Sequence, residues 1–257
     1  TAGFCKVERR LGDNAEFKAR VEELPAAGIR VVLDGVFNHV GRRFFAFEEV
    51  RERRENSDKC NWFHLNFGGN TAYNDGFWYE GWEGHMELVK LNLQCDAVLD
   101  YLRRAVEFWI DEFGIDGLRL DVCYLLPEWF MEWLRRIVRS KKSDFFLLGE
   151  VIHGQNFAKN ISPDRLDSIT NYECYKGLTS ALNSDNLFEI EHSLERLFGP
   201  QPWCLYTGKH LFNFADNHDV VRAYTALQDK RKIFAMYALL FAMPGIPCIY
   251  YGSECAA

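Results

Sequence analysis

The stretch LFNFADNHDVVR, residues Leu211–Arg222, changes from apolar to polar halfway along its length. Leu211, Phe212 and Phe214 are typical of a buried strand, and four consecutive polar residues, 216–219, follow them. One interpretation is a surface turn, because Asp and Asn are frequent turn residues. The other is a strand that ends in an active site. Recurrence of the same pattern elsewhere in the chain would decide between the two.

Three other apolar segments also end in chemically reactive side chains. An Asp or Asn that caps the next helix explains any one case, but it explains four cases together poorly. In a (β/α)8 barrel the carboxyl ends of the strands form the active-site face, so a shared polar pocket is the better interpretation. The candidate pocket residues are Asp34, Asn38 and His39 after the first segment, Arg119 and Asp121, Glu150, and His218 and Asp219.

Apolar segments alternate with helical patterns along the chain. Apolar residues at helical spacing predict helices after Asp13, over 98–113 and after Pro127, the last with a basic, solvated tail over 135–142. Strands that alternate with helices indicate an α/β protein with a parallel sheet. The predicted strands are 29–33, 117–121, 145–150, 168–170, 210–215 and 248–251.

One long segment lacks this alternation. Residues 41–96 have little periodicity and are rich in Asn, Gly, Trp and Tyr, which indicates an inserted, loop-rich and functional subdomain. The predicted domains are therefore a catalytic part, 1–40 and 97–257, and this insert, 41–96. Trp78, Tyr79 and Trp82 either stack on sugar rings or pack inside the insert.

Composition excludes several classes of protein. The content of 48% hydrophobic and 26% charged residues is ordinary for a globular protein, and a net charge of −7 gives no support to nucleic-acid binding. No apolar run is long enough to span a bilayer, and no signal peptide is visible. The eight cysteines are scattered without a C-x-x-C pair. We expect free thiols in a cytoplasmic protein and no structural zinc.

Two carboxylates in different surroundings indicate a specific chemistry. Arg119 and Asp121 lie two residues apart on a strand, so both side chains point to the same side. The guanidinium favours an ionised Asp121, as a nucleophile requires, whereas apolar surroundings would raise the pKa of Glu150, as a proton donor requires. These are the groups for retaining glycoside hydrolysis, in which the carboxyl groups lie roughly 5–5.5 Å apart.

At this point four segments show a family resemblance. They resemble, in order and in strand context, the signature segments of the α-amylase family, glycoside hydrolase family thirteen. PGIPCIYYGSE, 244–254, resembles the last barrel strand of that family, so the similarity extends over essentially the whole chain. The four segments are DGVFNH, 34–39, GLRLD, 117–121, GE, 149–150, and FADNHD, 214–219.

The resemblance implies a role for each candidate residue. Asp121 would be the nucleophile, Glu150 the general acid/base, and Asp219 the third carboxylate, which holds the distorted sugar. Arg119 would hydrogen-bond the nucleophile. Asp34 would support the end of its strand, and we count it among the predicted substrate-binding residues. His39 and His218 would bind hydroxyls of the cleaved sugar.

The implied cofactor requirement is none, with calcium through Asn38 as the minority interpretation. The other calcium ligands of the family fall in the variable insert, where none is identifiable. The implied partner is an α-glucan oligosaccharide, with no nucleic acid or membrane partner, and we expect a homodimer for the full-length enzyme.

Two further segments resemble the neopullulanases and cyclomaltodextrinases, namely GHMELVKLN, 84–92, and VGRRFFAFEEV, 40–50. Val89 departs from the Pro that these enzymes commonly have. DVCYLLP, 121–127, departs from the Lys-His pair found in many α-amylases.

The resemblance leaves three functions open. The first is a retaining hydrolase of α-1,4-glucosidic bonds in maltodextrins, cyclodextrins or starch-type glucans. The second is a transglycosylase, which differs only in how well water competes for the covalent intermediate. The third, a non-catalytic α-glucan-binding relative, is disfavoured because Asp121, Glu150 and Asp219 are all present.

The fold class expected from the resemblance is an incomplete (β/α)8 TIM barrel. The strand at 29–33 resembles the third strand of the family, so the chain would supply strands three to eight, with the insert after the third. A barrel of this kind closes with eight strands. We therefore expect a fragment of a longer enzyme with two open sheet edges, and hence poor stability and weak activity.

Overall fold

A computed structural model describes residues 2–152 and 157–255 of the chain. The chain divides into two compact units, Thr1–Leu147 and Leu148–Ala257. In chain order the first unit contains α1 (Asn14–Glu23), β1 (Val32–Gly35), β2 (His39–Gly41), α2 (Phe45–Arg53), β3 (Leu65–Asn66), β4 (Trp78–Tyr79), β5 (Gly81–Trp82), β6 (His85–Lys90), α3 (Asp96–Phe113), β7 (Gly117–Leu120) and α4 (Glu128–Lys141), and β8 (Phe146–Gly149) begins at its end.

The first unit is built on a parallel pair of strands, of which β7 is largely buried and β1 is partly exposed. β1 pairs with β7, and Asp34 lies directly opposite Arg119 in this register. The backbone N–H of Phe146, at the start of β8, donates to the carbonyl of Asp116 at 2.9 Å, which extends the parallel arrangement. The predicted strands at 117–121 and 145–150 are confirmed, whereas β1 begins three residues later than predicted.

Capping explains where the helices of this unit begin and end. Asp13 caps α1, and Glu16 completes the capping box expected from the sequence. The helix ends at Glu23, just before Pro25, which cannot continue it. The predicted apolar stripe of α3 is buried, and Gly114 ends this helix in the left-handed conformation at φ 69°.

The predicted solvation of the basic tail 135–142 is wrong at one residue. Arg135, in the last third of α4, is only 2% exposed, and its Nη1 donates to the carbonyl of Phe145 at 3.0 Å. Its position lies on the inner face of a strongly amphipathic helix, where Leu134 and Val138 are also buried. The helix geometry therefore places this cation inside, and a backbone acceptor satisfies it.

The segment 41–96 contains more regular structure than its composition predicts. β2, β6 and β5 form an antiparallel sheet, and β3 pairs with β4. α2 is a short helix whose Phe47 and Val50 are fully buried. The division of the chain into a barrel part and an insert at 41–96 stays a prediction.

The second unit continues the parallel strand order. Leu148 and Gly149 of β8 pair with the next strand, and a bridge from Thr170 to Phe212 leads to the following pair. Its further elements are β9 (Ser168–Ile169), α5 (Tyr172–Ser184), α6 (Phe188–Phe198), β10 (Phe212–Phe214), α7 (Ala223–Ala226), α8 (Ile233–Ala242) and β11 (Ile246–Cys248).

The last strand lies two residues earlier than predicted. The sequence suggested 248–251, whereas β11 spans Ile246–Cys248 and pairs in parallel with β10. Pro247 argues against a strand at this position, but β11 is at the end of its sheet, where a missing N–H is tolerated.

The described strands are those of an α/β protein, as predicted. Six of them, β1 and β7 to β11, correspond to the six predicted strands, and within the described residues no closed barrel forms. Their assignment as barrel strands three to eight stays a prediction. None of the helices in the described parts of the chain combines the length and apolar character needed to cross a bilayer.

Candidate active site

The first unit brings four of the predicted site residues together. The register of β1 and β7 places the Arg119 guanidinium between two carboxylates. Its Nη1 donates to Oδ1 of Asp34 at 2.6 Å and to Oδ1 of Asp121 at 3.3 Å. Asp121 follows β7 directly and is mostly buried, with 20% of its side chain exposed. The Asp121 carboxylate thus accepts a charge-assisted hydrogen bond that fixes its orientation, which suits a nucleophile.

His39 is the fourth member of this cluster. Its Nε2 lies 3.9 Å from Oδ2 of Asp121, and the residue is buried. Burial lowers the pKa of His39 from its ordinary value of 6.5, although the Asp121 charge opposes this shift. Nδ2 of Asn38 lies 3.3 Å from Nδ1 of His39, which leaves the ring proton on Nε2, facing Asp121. A neutral imidazole with an outward N–H can donate to a hydroxyl or to a carboxylate.

The backbone directly after Asp121 is strained. Val122 adopts the left-handed conformation, at φ 41° and ψ 44°, and is 5% exposed. This conformation is an outlier for a β-branched residue, and such strain costs about 1–3 kcal/mol. It turns the chain away from the strand immediately after Asp121. The sequence gives no signal for it, because Val is a favourable strand residue.

Trp82, in the segment 41–96, contacts two histidine rings. The Trp82 ring lies 5.8 Å from the His39 ring and 5.3 Å from the His85 ring, measured between centroids. Within the described residues, the buried indole N–H of Trp82 has no hydrogen-bond acceptor. Tyr79 is fully buried, so packing is the correct interpretation for this residue. Sugar stacking by Trp78, which is 38% exposed, and by Trp82 stays a prediction.

The second unit holds Glu150 at the end of β8. Glu150 is buried, at 4% exposure, and follows Gly149, the last residue of the strand. Oγ1 of Thr170 accepts from the backbone N–H of Val151 at 2.8 Å and donates to its carbonyl at 3.0 Å. Thr170 thereby fixes the backbone directly after Glu150, a contact that joins two strand ends and that no local pattern reveals.

His218 and Asp219 form a close pair in the same unit. Nε2 of His218 lies 3.2 Å from Oδ2 of Asp219, and both side chains are half exposed. The backbone N–H of Asp219 donates to Oδ1 of Asn217 at 2.8 Å, as in an Asx turn, and Nδ2 of Asn217 donates to the Tyr172 hydroxyl at 3.1 Å. The polar second half of Leu211–Arg222 is thus a turn after β10, and it presents the side chains of His218 and Asp219.

A cavity of about 390 Å³ begins at the residue after Glu150. Its walls combine apolar residues with an ion pair between Arg196 and Glu173 and with the buried Tyr206. Burial raises the pKa of Tyr206 to about 12, so this hydroxyl stays protonated. The cavity therefore offers hydrogen-bonding groups and apolar surface on the side of β8 where Glu150 lies.

The predicted residues thus form one cluster in the first unit, and in the second unit they follow β8 and β10, which β9 separates. Convergence of Asp121 with Glu150 and Asp219 in one cleft stays a prediction. Calcium also stays a prediction. No group of three or more His, Cys, Asp or Glu side chains close enough to hold a metal ion occurs among residues 2–152 and 157–255, and Asn38 contacts His39. No disulfide joins any of the cysteines in the described parts of the chain.

Comparison with known proteins identifies the fold and the family. The family described as alpha amylase, catalytic domain, matches residues 1–257. A cyclomaltodextrinase from Bacillus sp is 32% identical over 99% of this chain and 45% of its own length. Neopullulanase 2 from Thermoactinomyces vulgaris is 31% identical over 99% of this chain and 43% of its own length.

A solved structure agrees with these relatives. The cyclic alpha-maltosyl-(1→6)-maltose hydrolase from Arthrobacter globiformis superimposes with a TM-score of 0.86 at 30% identity, over 99% of this chain and 57% of that protein. The chain spans less than half the length of the two curated relatives above. The fold is therefore of the (β/α)8 barrel type, and the chain belongs to the alpha-amylase catalytic-domain family.

Proposed function

We propose that the protein is a retaining glycoside hydrolase that cleaves α-1,4-glucosidic bonds of maltodextrins, cyclodextrins or starch-type glucans. Family membership and relatives named cyclomaltodextrinase, neopullulanase and maltogenic amylase support this proposal. A cytoplasmic location and a homodimer accompany the proposal as expectations.

The observation that carries the proposal is the contact of Arg119 with Asp121. A nucleophilic carboxylate must be oriented toward the reacting carbon, and the guanidinium at 3.3 Å holds it in place. Nη1 of Arg119 also donates to Oδ1 of Asp34 at 2.6 Å, so Arg119 is itself fixed. His39, with its Nε2 proton directed to Asp121, is placed to hydrogen-bond a sugar hydroxyl beside the reacting carbon.

The proposed reaction has two steps. In the first, Asp121 forms a bond to the anomeric carbon while Glu150 transfers its proton to the departing glycosidic oxygen. In the second, Glu150 removes a proton from water, and the oxygen of that water displaces Asp121 from the same carbon. The first step requires a protonated Glu150, and this side chain lies buried at the end of β8. Asp219 would stabilise the positive charge that develops on the sugar ring.

The first experiment replaces Glu150 by Gln in the full-length gene product. On unactivated maltoheptaose we expect kcat to fall about 10²–10⁴-fold, because the leaving oxygen is no longer protonated. On an aryl glycoside with an acidic leaving group, kcat should fall much less, because this leaving group departs without protonation. Equal losses on both substrates would contradict the role of Glu150 as the acid.

The second experiment follows the first product formed by proton NMR. A covalent glycosyl-enzyme gives retention, so the α-anomer should appear first. Initial β-product would rule out the two-step mechanism.

Hydrolysis and transglycosylation differ in the second step alone. Product analysis with and without an acceptor sugar separates them, because a transglycosylase makes longer products when the acceptor is present. A non-catalytic binding protein would release no reducing sugar from maltoheptaose, β-cyclodextrin or pullulan.

A further inference from the structure

Asp216 is a buried carboxylate with no part in the proposed chemistry. It stands in the FADNHD segment, three residues before Asp219, and its side chain has no solvent exposure. An ionised carboxylate in such a position requires hydrogen bonds and a compensating charge. Its partners therefore show what the structure uses it for.

Three partners satisfy this carboxylate. The backbone N–H of Ala223 donates to Oδ2 at 2.9 Å, and the Ser253 hydroxyl lies 3.0 Å and 2.9 Å from the two oxygens. Nε of Arg222 supplies the compensating charge at 3.3 Å from Oδ2. Two of these partners, Arg222 and Ala223, stand at the far end of the turn that follows Asp216.

Arg222 connects this carboxylate to the turn after β11. Its Nη2 donates to the carbonyl of Tyr251 at 2.7 Å and to the Ser253 hydroxyl at 3.1 Å. Its guanidinium also lies 4.6 Å from the centroid of the Tyr250 ring. Ser253 can accept from Arg222 and donate to Asp216 at the same time, so the contacts are mutually consistent.

The turn between Asp216 and Ala223, residues 217–222, has little packing of its own. The side chains of His218 and Asp219 are 51% and 50% exposed, and Val221 is 56% exposed. Apolar burial therefore contributes little to fixing the turn. Its conformation depends on polar contacts, both those of Asn217 described above and those at the two ends of the turn.

We propose that Asp216, Arg222 and Ser253, the Asp216 network, are positioning residues that hold His218 and Asp219 in their working geometry. This inference rests on the proposed function, because it concerns the reaction in which Asp219 takes part. The network closes both ends of the 217–222 turn with charge-assisted hydrogen bonds, and it ties the turn to the segment after the last strand.

The test compares three variants of the full-length gene product. Ser253→Ala removes one hydroxyl partner from Asp216, and Ser253→Thr retains it. Lys232→Gln is the matched control, because it breaks an ion pair with Asp185 elsewhere in the second unit. For each we measure kcat and KM on β-cyclodextrin, the melting temperature, and hydrogen exchange of the amides in 217–222.

We expect Ser253→Ala to lower kcat about 10- to 100-fold with little change in KM, because a displaced carboxylate no longer fits the transition state. Hydrogen exchange should rise in 217–222 alone. Ser253→Thr should restore most of the rate, and Lys232→Gln should leave kcat unchanged at a similar loss of melting temperature.

An unchanged kcat in Ser253→Ala, or an equal loss of kcat in Lys232→Gln, would overturn the inference. If Ser253→Ala does not fold, Asp216→Asn serves in its place with the same expectations. A wild-type protein inactive on every glucan would instead refute the proposed function. In that case hydrogen exchange alone tests whether the Asp216 network fixes the turn. Equal exchange of the 217–222 amides in Ser253→Ala and in the wild type would refute it.

Discussion

A single guanidinium organises the cluster in the first unit. Arg119 contacts both Asp34 and Asp121, and His39 approaches Asp121 from the other side. The sequence alone predicted the pairing of Arg119 with Asp121, because residues two apart on a strand share a side. The contact with Asp34 depends on the register between β1 and β7, which residue spacing within either strand cannot give.

The lowered pKa of His39 makes stability depend on pH. The unfolded chain binds a proton near pH 6.5, whereas burial holds the folded histidine neutral to lower pH. The free energy of unfolding should therefore fall as the pH drops below about 6.5, until the folded pKa is reached. In His39→Gln this part of the slope, at most about 1.4 kcal/mol per pH unit, should disappear. Urea denaturation between pH 5 and pH 8 measures it.

The control for this prediction is His192→Gln, on a helix of the other unit. It should leave the slope unchanged. A His39→Gln profile parallel to that of the wild type would show that the pKa of His39 is not lowered.

At the scale of elements, long periodic helices were predictable and short elements were not. The stripe of α3 and the capping box of α1 are local patterns, and both formed as expected. α2 was missed because it has nine residues in an aromatic-rich segment, and tertiary burial of Phe47 stabilises it. β11 was misplaced because β-favouring residues follow Pro247, while its actual pairing is set by β10.

The segment 41–96 is held together by one acidic side chain. Asp75 accepts two hydrogen bonds from Arg42, at 2.8 and 3.0 Å, and a third from Nε of Arg51 at 3.0 Å. Its side chain is 8% exposed. Burial alone would raise the pKa of Asp75, but the two arginines hold it below its ordinary value of 3.8.

We expect Asp75→Asn to reduce the free energy of unfolding by about 2–3 kcal/mol at pH 7, because two guanidinium groups lose their counter-charge. This contribution should vanish as the pH falls through the lowered pKa, below 3.8. Urea denaturation with an unchanged m-value checks it. Asp58→Asn, at a 77% exposed side chain, is the matched control and should change nothing measurable. Equal effects in the two variants would refute the role assigned to Asp75.

For the whole molecule, one apolar surface stands out. α8 is apolar on every side, and its exposed face carries Phe234 and Phe241, at 83% and 56% exposure. Ile249 and Tyr251, after β11, are also exposed. Exposed apolar surface of this kind is unusual for a soluble monomer and favours association. The composition of the chain could not reveal it, because total apolar content says nothing about which residues are covered.

We expect the 257-residue chain to bind the dye ANS and to self-associate with rising concentration, because this surface attracts apolar partners. The double variant Phe234→Glu/Phe241→Glu should lower both the ANS fluorescence and the apparent mass in analytical ultracentrifugation. Ala235→Lys, at an exposed residue of the same helix, is the surface control. The neighbouring Met236 is buried, so a charge there would destabilise the fold. Dye binding that is unaltered in the double variant would place the apolar surface elsewhere.

The position of His39 limits how this protein can be re-engineered. His39 is the first residue of β2, where it pairs with Lys90, and the carbonyl of Asn38 accepts from the N–H of Leu91 at 2.9 Å. The segment that departs at Gly41 therefore returns to the same place, and it brings Trp82 onto the His39 ring. A chimera that exchanges this segment with that of a relative would also exchange a wall of the site. Transfer of substrate preference between relatives should consequently require the whole span from His39 to Leu91, grafted as one piece.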